Sequence, residues 1–360
     1  MSAKMANITL AAVAMLAPDM ACAQTIFPAT SPLIRYMGRH LVEDDSVTLA
    51  YPGIEIIVDF TGSEIAISGE TLGSSAHYNV FIDDNPLPRL DLKSGTFSIS
   101  LASGLDPEKN HTLRLVRRSE AWIGITRLDS FSLSPNGRIL AKQEEVRKKL
   151  LCIGDSITCG EKADLYIGYV EKGPTAWNAE QSYAWHLAKD FNTDIHIVSY
   201  GGKGLIRDWQ GKSSAVTAPQ FFERTLPDNA DKRWDHASYA PDLVTICIGT
   251  NDFCQGIPNR DDFVPAYIAF VKRIHAVHPE AKVLLISGPW FAAGTPEEEA
   301  LNRYILETID AINVNGLNYA NHHFFTTTYP GSSRDAHPTA PQHRAMADEI
   351  GKTITNWLDW

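Results

Sequence analysis

Leu150-Leu-Cys-Ile-Gly-Asp-Ser-Ile-Thr-Cys-Gly160 is the stretch on which the reading of this 360-residue chain turns. It opens with a short continuous apolar run, the pattern of a strand buried on both faces, and the run stops at Gly154-Asp-Ser. Similar runs recur at Asp194-Ile-His-Ile-Val-Ser199, Leu243-Val-Thr-Ile-Cys-Ile248 and Val283-Leu-Leu-Ile-Ser287, with helical patterns such as 183–191 and 263–275 between them. Buried strands alternating with helices predict a parallel sheet covered on both faces, an α/β three-layer sandwich. Ligands bind such sheets beyond the carboxyl ends of the strands, which is where Ser156 falls.

Upstream the pattern changes. Ile54-Glu-Ile-Ile-Val-Asp-Phe60, Glu64-Ile-Ala-Ile-Ser68, His77-Tyr-Asn-Val-Phe-Ile82, Thr96-Phe-Ser-Ile-Ser-Leu101, His111-Thr-Leu-Arg-Leu-Val116 and Phe131-Ser-Leu133 are β-rich runs punctuated by Gly, Pro, Asn and Asp. They predict an all-β, jelly-roll-like antiparallel sandwich. A chain this long exceeds the usual size of one core, so two domains are expected. We place the sandwich at 24–140, a charged linker at 141–149 and the α/β domain at 150–360. At 44% apolar residues, with 8 Trp, 12 Tyr and 14 Phe, the chain can fill both cores.

Residues 1–23 carry Lys4, the apolar run from Ile8 to Ala17, and Ala21-Cys22-Ala23, which has the A-x-A form of a signal-peptidase site. Export with cleavage after Ala23 is expected. The run is too short to span a bilayer, and no later segment reads as transmembrane. A net charge of -11 disfavours nucleic acid and anionic membranes as partners and favours a neutral substrate. Cleavage would leave Cys152, Cys159, Cys247 and Cys254. Cys159 and Cys254 follow Ser156 and Asn251 by the same interval, so they can meet as a disulfide across neighbouring loops. The other reading is four small apolar side chains. No metal-ligand spacing occurs, His322-His323 would point to opposite faces of a strand, and no cofactor is expected.

Three further motifs end or follow the buried runs. Ser199-Tyr-Gly-Gly-Lys-Gly204 supplies glycines whose N–H groups can approach a substrate oxygen, and Ile248-Gly-Thr-Asn-Asp252 offers the amide of Asn251. Ser333-Arg-Asp-Ala-His-Pro-Thr339 brings His337, with a carboxylate nearby, after the last sheet element. A neutral imidazole beside a serine hydroxyl can take its proton and return it to a leaving alcohol. Of the 12 His, others such as His186 and His275 fall in helical patterns and are expected to pack or solvate. The nucleophile motif is not the G-x-S-x-G elbow of α/β-hydrolases.

In this order, Gly-Asp-Ser-Ile-Thr, Gly-Gly-Lys-Gly, Gly-Thr-Asn-Asp and Asp-Ala-His-Pro resemble the four blocks of SGNH (GDSL-type) hydrolases. The resemblance implies Ser156 as nucleophile and first oxyanion donor, Gly202 as second donor with Gly201 competing, Asn251 as third, and His337 as base. Together with Tyr51-Pro-Gly-Ile-Glu-Ile and Arg117-Arg-Ser-Glu-Ala, the chain more narrowly resembles carbohydrate esterase family 2. This implies a secreted acetylesterase that acts on acetylated polysaccharides of xylan or glucomannan type through an acetyl-serine intermediate. The usual SGNH Asp stands three residues before the His. Here that position is Arg334, and Asp335 lies two before, so the choice between a triad and a Ser-His dyad stays open. Trp209 and Trp290, and less directly Trp177, are candidate sugar platforms. A lipid, thioester or peptidoglycan O-acetyl hydrolase and a non-catalytic carbohydrate-binding protein are the competing readings.

Overall fold

Among the described residues, alternating inward apolar side chains fold the first part of the chain into ten antiparallel strands. They are β1 (Thr25–Pro28), β2 (Arg35–Met37), β3 (His40–Glu43), β4 (Ser46–Leu49), β5 (Glu55–Thr61), β6 (Glu64–Ile82), β7 (Asn85–Ser103), β8 (Asn110–Arg117), β9 (Gly124–Leu133) and β10 (Arg138–Ile139). The computed structural model describes residues 24–141, 145–165, 173–314 and 318–360. The expected leader, 1–23, and residues 142–144 of the expected linker lie outside them.

The runs at 64–68 and 77–82 are not separate strands. Both belong to β6, which pairs with β7 on one side, while on the other Ile65–Gly73 pairs with β9 and Tyr78–Ile82 with β8. β6 therefore carries the chain from one half of the sandwich to the other. The change of partner falls between Gly73 and Tyr78, beside an irregularity at Thr71/Ser75 in the pairing with β7; a separate register shift lies at Ser68/Gly69, where a Cβ on Gly69 would collide with the Arg127 carbonyl. The run at 96–101 likewise extends into the long β7.

The second part forms a five-stranded parallel sheet of order β12-β11-β13-β14-β15. Its strands are β11 (Lys149–Gly154), β12 (Asp194–Ser199), β13 (Leu243–Cys247), β14 (Lys282–Ile286) and β15 (Ala320–His323). The first four match the apolar runs read from the sequence. The polar β15 carried no such signal. The helices are α1 (Tyr183–Asp190), α2 (Ala218–Phe222), α3 (Thr250–Phe253), α4 (Arg260–Val277), α5 (Pro296–Ile312) and α6 (Ala340–Trp357). Side chains alternate between two apolar layers: Leu151, Ile153, Val244, Ile246, Val283 and Leu285 pack with α4 and α5. Leu150, Cys152, Leu243, Cys247, Leu284 and Ile286 pack with α1 and α6. This is the expected three-layer domain. Among the described residues no helix is long and apolar enough to cross a membrane.

All four expected cysteines are free thiols, so the Cys159–Cys254 disulfide is not formed. The Cys159 thiol turns inward and donates to Ser199 Oγ at 3.0 Å, while Cys254 donates to the Thr250 carbonyl at 3.4 Å.

The two domains share buried polar contacts. Arg39 is wholly buried between the rings of Phe222 and Trp234, donates to the carbonyls of Phe222 (2.5 Å) and Arg224 (3.0 Å), and burial pushes it down to about 10. Arg118 pairs with Asp164 and donates to the Thr175 carbonyl at 3.0 Å; Asn79 donates to Glu180 Oε2 at 2.6 Å. Removing one member of a buried pair strands the other's charge. Arg118→Ala is therefore expected to cost about 3 kcal/mol of unfolding free energy, read as a lower urea midpoint. A shift below about 1 kcal/mol would show that solvent or Asn178 compensates for the lost cation.

Candidate active site

β11 ends at Gly154, where a Cβ would run into Thr158 Cβ (2.6 Å) and the Cys247 carbonyl (3.0 Å). Asp155 then closes a tight turn, its Oδ1 accepting the Ile157 N–H at 3.0 Å and its carbonyl accepting the Cys159 N–H at 3.0 Å. Ser156 sits at the tip of that turn. His337 reaches it from the loop before α6, whose first turn is closed by a Thr339/Gln342 capping box.

The His337 Nε2 lies 2.9 Å from Ser156 Oγ, and its Nδ1 lies 2.6 Å from Asp335 Oδ1. A carboxylate can only accept, so Nδ1 carries the proton and Nε2 is left to accept the serine hydroxyl. Asp335 Oδ1 also accepts the backbone N–H of His337 at 3.0 Å. That local turn is how a carboxylate two residues away reaches the ring. Burial pushes the Asp335 carboxyl up, but the hydrogen bonds from His337, the imidazole charge and Lys162 outweigh it and hold it at about 2. For His337, burial favours the neutral ring, yet Asp335, Glu161 and Asp155 raise its pKa above the ordinary value. Glu161 Oε2 stands 3.6 Å from His337 Nε2, its own pKa raised chiefly by burial.

Beside the serine runs the loop from Tyr200 to Trp209. Gly201 donates its N–H to Glu120 Oε2 at 2.5 Å and so is not available to a substrate. The N–H groups of Ser156 and Gly202 meet no acceptor among the described residues. Between the two glycines, Gly202 is thus the one with a free donor. Its φ of +72° suits glycine, and a Cβ there would meet Trp209 Cδ1 at 2.8 Å. Asp252 accepts the N–H groups of Leu205 (2.7 Å), Ile206 (2.8 Å) and Arg207 (3.1 Å), locking the far side of the loop. Asn251 lines the same cavity, but its Nδ2 already donates to Asp155 Oδ2 (3.1 Å) and the Lys203 carbonyl (3.0 Å). A third oxyanion contact from this amide would share a hydrogen.

Ser156 and His337 open into a cavity of about 490 Å³ walled by Trp122, Trp209 and Trp290. Trp209 and Trp122 are each 52% exposed, and Trp290 packs edge-on to the His337 ring at 5.1 Å. Trp177 is buried instead. Its indole N–H donates to Glu120 Oε1 at 3.0 Å, so it supports the site from behind. Trp122, Glu120, Glu161 and Asp252 escaped the sequence reading. Asp252 lay inside a quoted motif, and Glu120 inside Arg117-Arg-Ser-Glu-Ala, but neither has a spacing that announces burial.

Residues 152–345 match the family model of the GDSL-like lipase/acylhydrolase family, and residues 36–142 that of the carbohydrate esterase 2 N-terminal domain. An acetylxylan esterase / glucomannan deacetylase of Cellvibrio japonicus is 34% identical over 92% of this chain and 91% of that protein. The structure of a family two carbohydrate esterase from Cellvibrio japonicus superposes with a TM-score of 0.88 at 32% identity, covering 94% of this chain and 99% of that one. That of a family two carbohydrate esterase from Clostridium thermocellum in complex with cellohexaose gives 0.82 at 28% identity, over 91% and 99%.

A hydroxyl held to an imidazole is expected to react with a fluorophosphonate once per chain, at Ser156, as read by intact-mass and peptide spectrometry. His337→Ala should slow labelling by about 10²- to 10⁴-fold. Labelling at the wild-type rate in that variant would dissociate the imidazole from the serine's reactivity.

Proposed function

The chain belongs to the GDSL-like lipase/acylhydrolase family, in its carbohydrate esterase 2 branch, and from that premise we propose that this esterase is an exported enzyme removing O-acetyl groups from a neutral polysaccharide of xylan or glucomannan type. The observation that carries the reading is the unbroken chain from Ser156 through His337 to Asp335 at the floor of a tryptophan-walled cavity. The A-x-A segment ending at Ala23 supports export.

In the proposed reaction Ser156 Oγ attacks the acetyl carbonyl as His337 Nε2 takes its proton. The N–H groups of Ser156 and Gly202 receive the oxygen that becomes negative, with Asn251 sharing an amide hydrogen. The tetrahedral centre collapses, the C–O bond to the sugar breaks, and the imidazolium returns its proton to the leaving alkoxide. Water, activated by the same ring, then frees acetate from Ser156. Asp335 holds the tautomer and offsets the charge that develops on the ring. Trp209 and Trp290 offer stacking faces on which a pyranose ring lies while its acetyl group enters the cavity.

Purified protein is expected to release acetate from acetylated xylan or glucomannan and from 4-nitrophenyl acetate, with release abolished in Ser156→Ala. Octanoyl esters should react more slowly; faster reaction with them would favour a lipid substrate. Activity on the small ester alone would refute the polysaccharide assignment while leaving the esterase. The acidic limb of kcat/KM should lie above pH 6.5, because the base must be neutral and its partners raise its pKa. Asp335→Asn removes one of those partners, so the limb should move to lower pH while kcat falls by up to about 10⁴-fold.

A further inference from the structure

We propose that Glu120, carried by the β-sandwich, is a positioning residue for acyl transfer: its carboxylate grips the Gly201 N–H and thereby aims the adjacent Gly202 N–H at the substrate's carbonyl oxygen. The inference rests on the acyl-transfer reading above and assigns the first domain a part in it.

Glu120 lies in the connection between β8 and β9 and is fully buried. Its two oxygens are divided between a backbone N–H of the oxyanion loop (Gly201, 2.5 Å) and the indole N–H of Trp177 (3.0 Å). Among the described residues no lysine or arginine forms an ion pair with it. A carboxylate buried on neutral donors is costly and is explained by what those donors do. Burial pushes its pKa up, and hydrogen bonds from Gly201, Trp177 and the neighbouring Cys159 thiol, with the field of His337, work against that.

The glycine pair separates two functions. Gly202 has the left-handed backbone, whereas Gly201 is not among the residues with positive φ, so its backbone would accept an L side chain. The obstacle at Gly201 is the carboxylate itself: a Cβ would meet Glu120 Oε2 at 2.7 Å, Oε1 at 2.8 Å and Cδ at 3.1 Å. Position 201 is glycine to admit Glu120. Because the peptide unit is planar, fixing the Gly201 N–H leaves few torsions between it and the next N–H, that of Gly202. Asp252 holds the loop from 205 to 207, and the Trp209 N–H holds the Gly202 carbonyl at 3.0 Å. Glu120 holds the remaining end.

The test compares wild type, Glu120→Ala, Gly201→Ala, the double variant and Glu120→Gln on 4-nitrophenyl acetate. Loss of a single oxyanion donor costs about 10²- to 10³-fold, so Glu120→Ala and Gly201→Ala should each lower kcat by about 10- to 100-fold, with KM changed little. In the double variant the methyl enters the space the carboxylate left, and the loss should be no greater than in Glu120→Ala alone. Glu120→Gln, which keeps one acceptor oxygen, should recover part of kcat. The preference for an oxo ester over its thiono analogue, whose sulfur accepts hydrogen bonds weakly, should narrow in Glu120→Ala; a packing defect would leave that ratio unchanged. If Glu120→Ala does not fold by circular dichroism, Gly201→Ala and Glu120→Gln carry the test. Wild-type kcat in Glu120→Ala, or losses that multiply in the double variant, would overturn the proposal. A wild-type protein inactive on every ester would instead overturn the reading on which it rests.

Discussion

Gly154 pairs in parallel register with Ser199 on one side and Cys247 on the other, and the site depends on that alignment. From this common level the three chains leave the sheet together, so Ser156, the Gly201–Gly202 pair and Asn251 emerge within one crevice. A slip of one residue in either pairing would turn the emerging side chains to the opposite face. The register is strongly held because β11, β12 and β13 are buried on both faces, where misplacing a side chain would leave apolar surface unburied.

The second requirement is that the two domains meet without stranding charge. Apolar side chains from both domains join one continuous cluster, including Tyr51, Ile56 and Phe60 from the first and Leu151, Ile246 and Phe263 from the second. Around that cluster the polar contacts of Arg39, Arg118 and Glu180 fix orientation as well as proximity. Arg114 reaches both Glu55 (3.1 Å) and Glu180 (3.0 Å), bridging the domains through a single guanidinium. With the sandwich fixed in this way, Trp122 faces the cavity and Glu120 the oxyanion loop.

Much of this was legible in the residues. Continuous apolar runs announced β11 to β14, and the polar signatures beyond them pointed to Ser156, Asn251 and His337, which the fold brings to one cavity. Asp335 was ambiguous, since spacing alone does not show that a carboxylate can accept a backbone N–H and a ring N–H at once. Whether Cys159 and Cys254 pair stayed open on the residues alone, because equal intervals from two motifs say nothing of where a thiol points; the fold decides for free thiols, with Cys159 drawn to Ser199. Long bent strands broke into pieces on reading because bulges interrupt the alternation. Glu120 and Glu161 were invisible for a different reason. An acidic residue in a sequence reads as solvated, and only the packed fold reveals that it is enclosed.

The two carboxylates around the His337 ring carry a further consequence. Near neutral pH, cleavage of an acetyl ester liberates a proton along with acetate. Asp335 and Glu161 make the imidazole readier to keep such a proton, and a ring that keeps it no longer accepts from Ser156. In a poorly buffered medium, acid from many turnovers lowers the pH of the whole solution. Deacetylation would then slow as its product accumulates and resume when the acid is removed, a feedback that needs no second site and no change of shape.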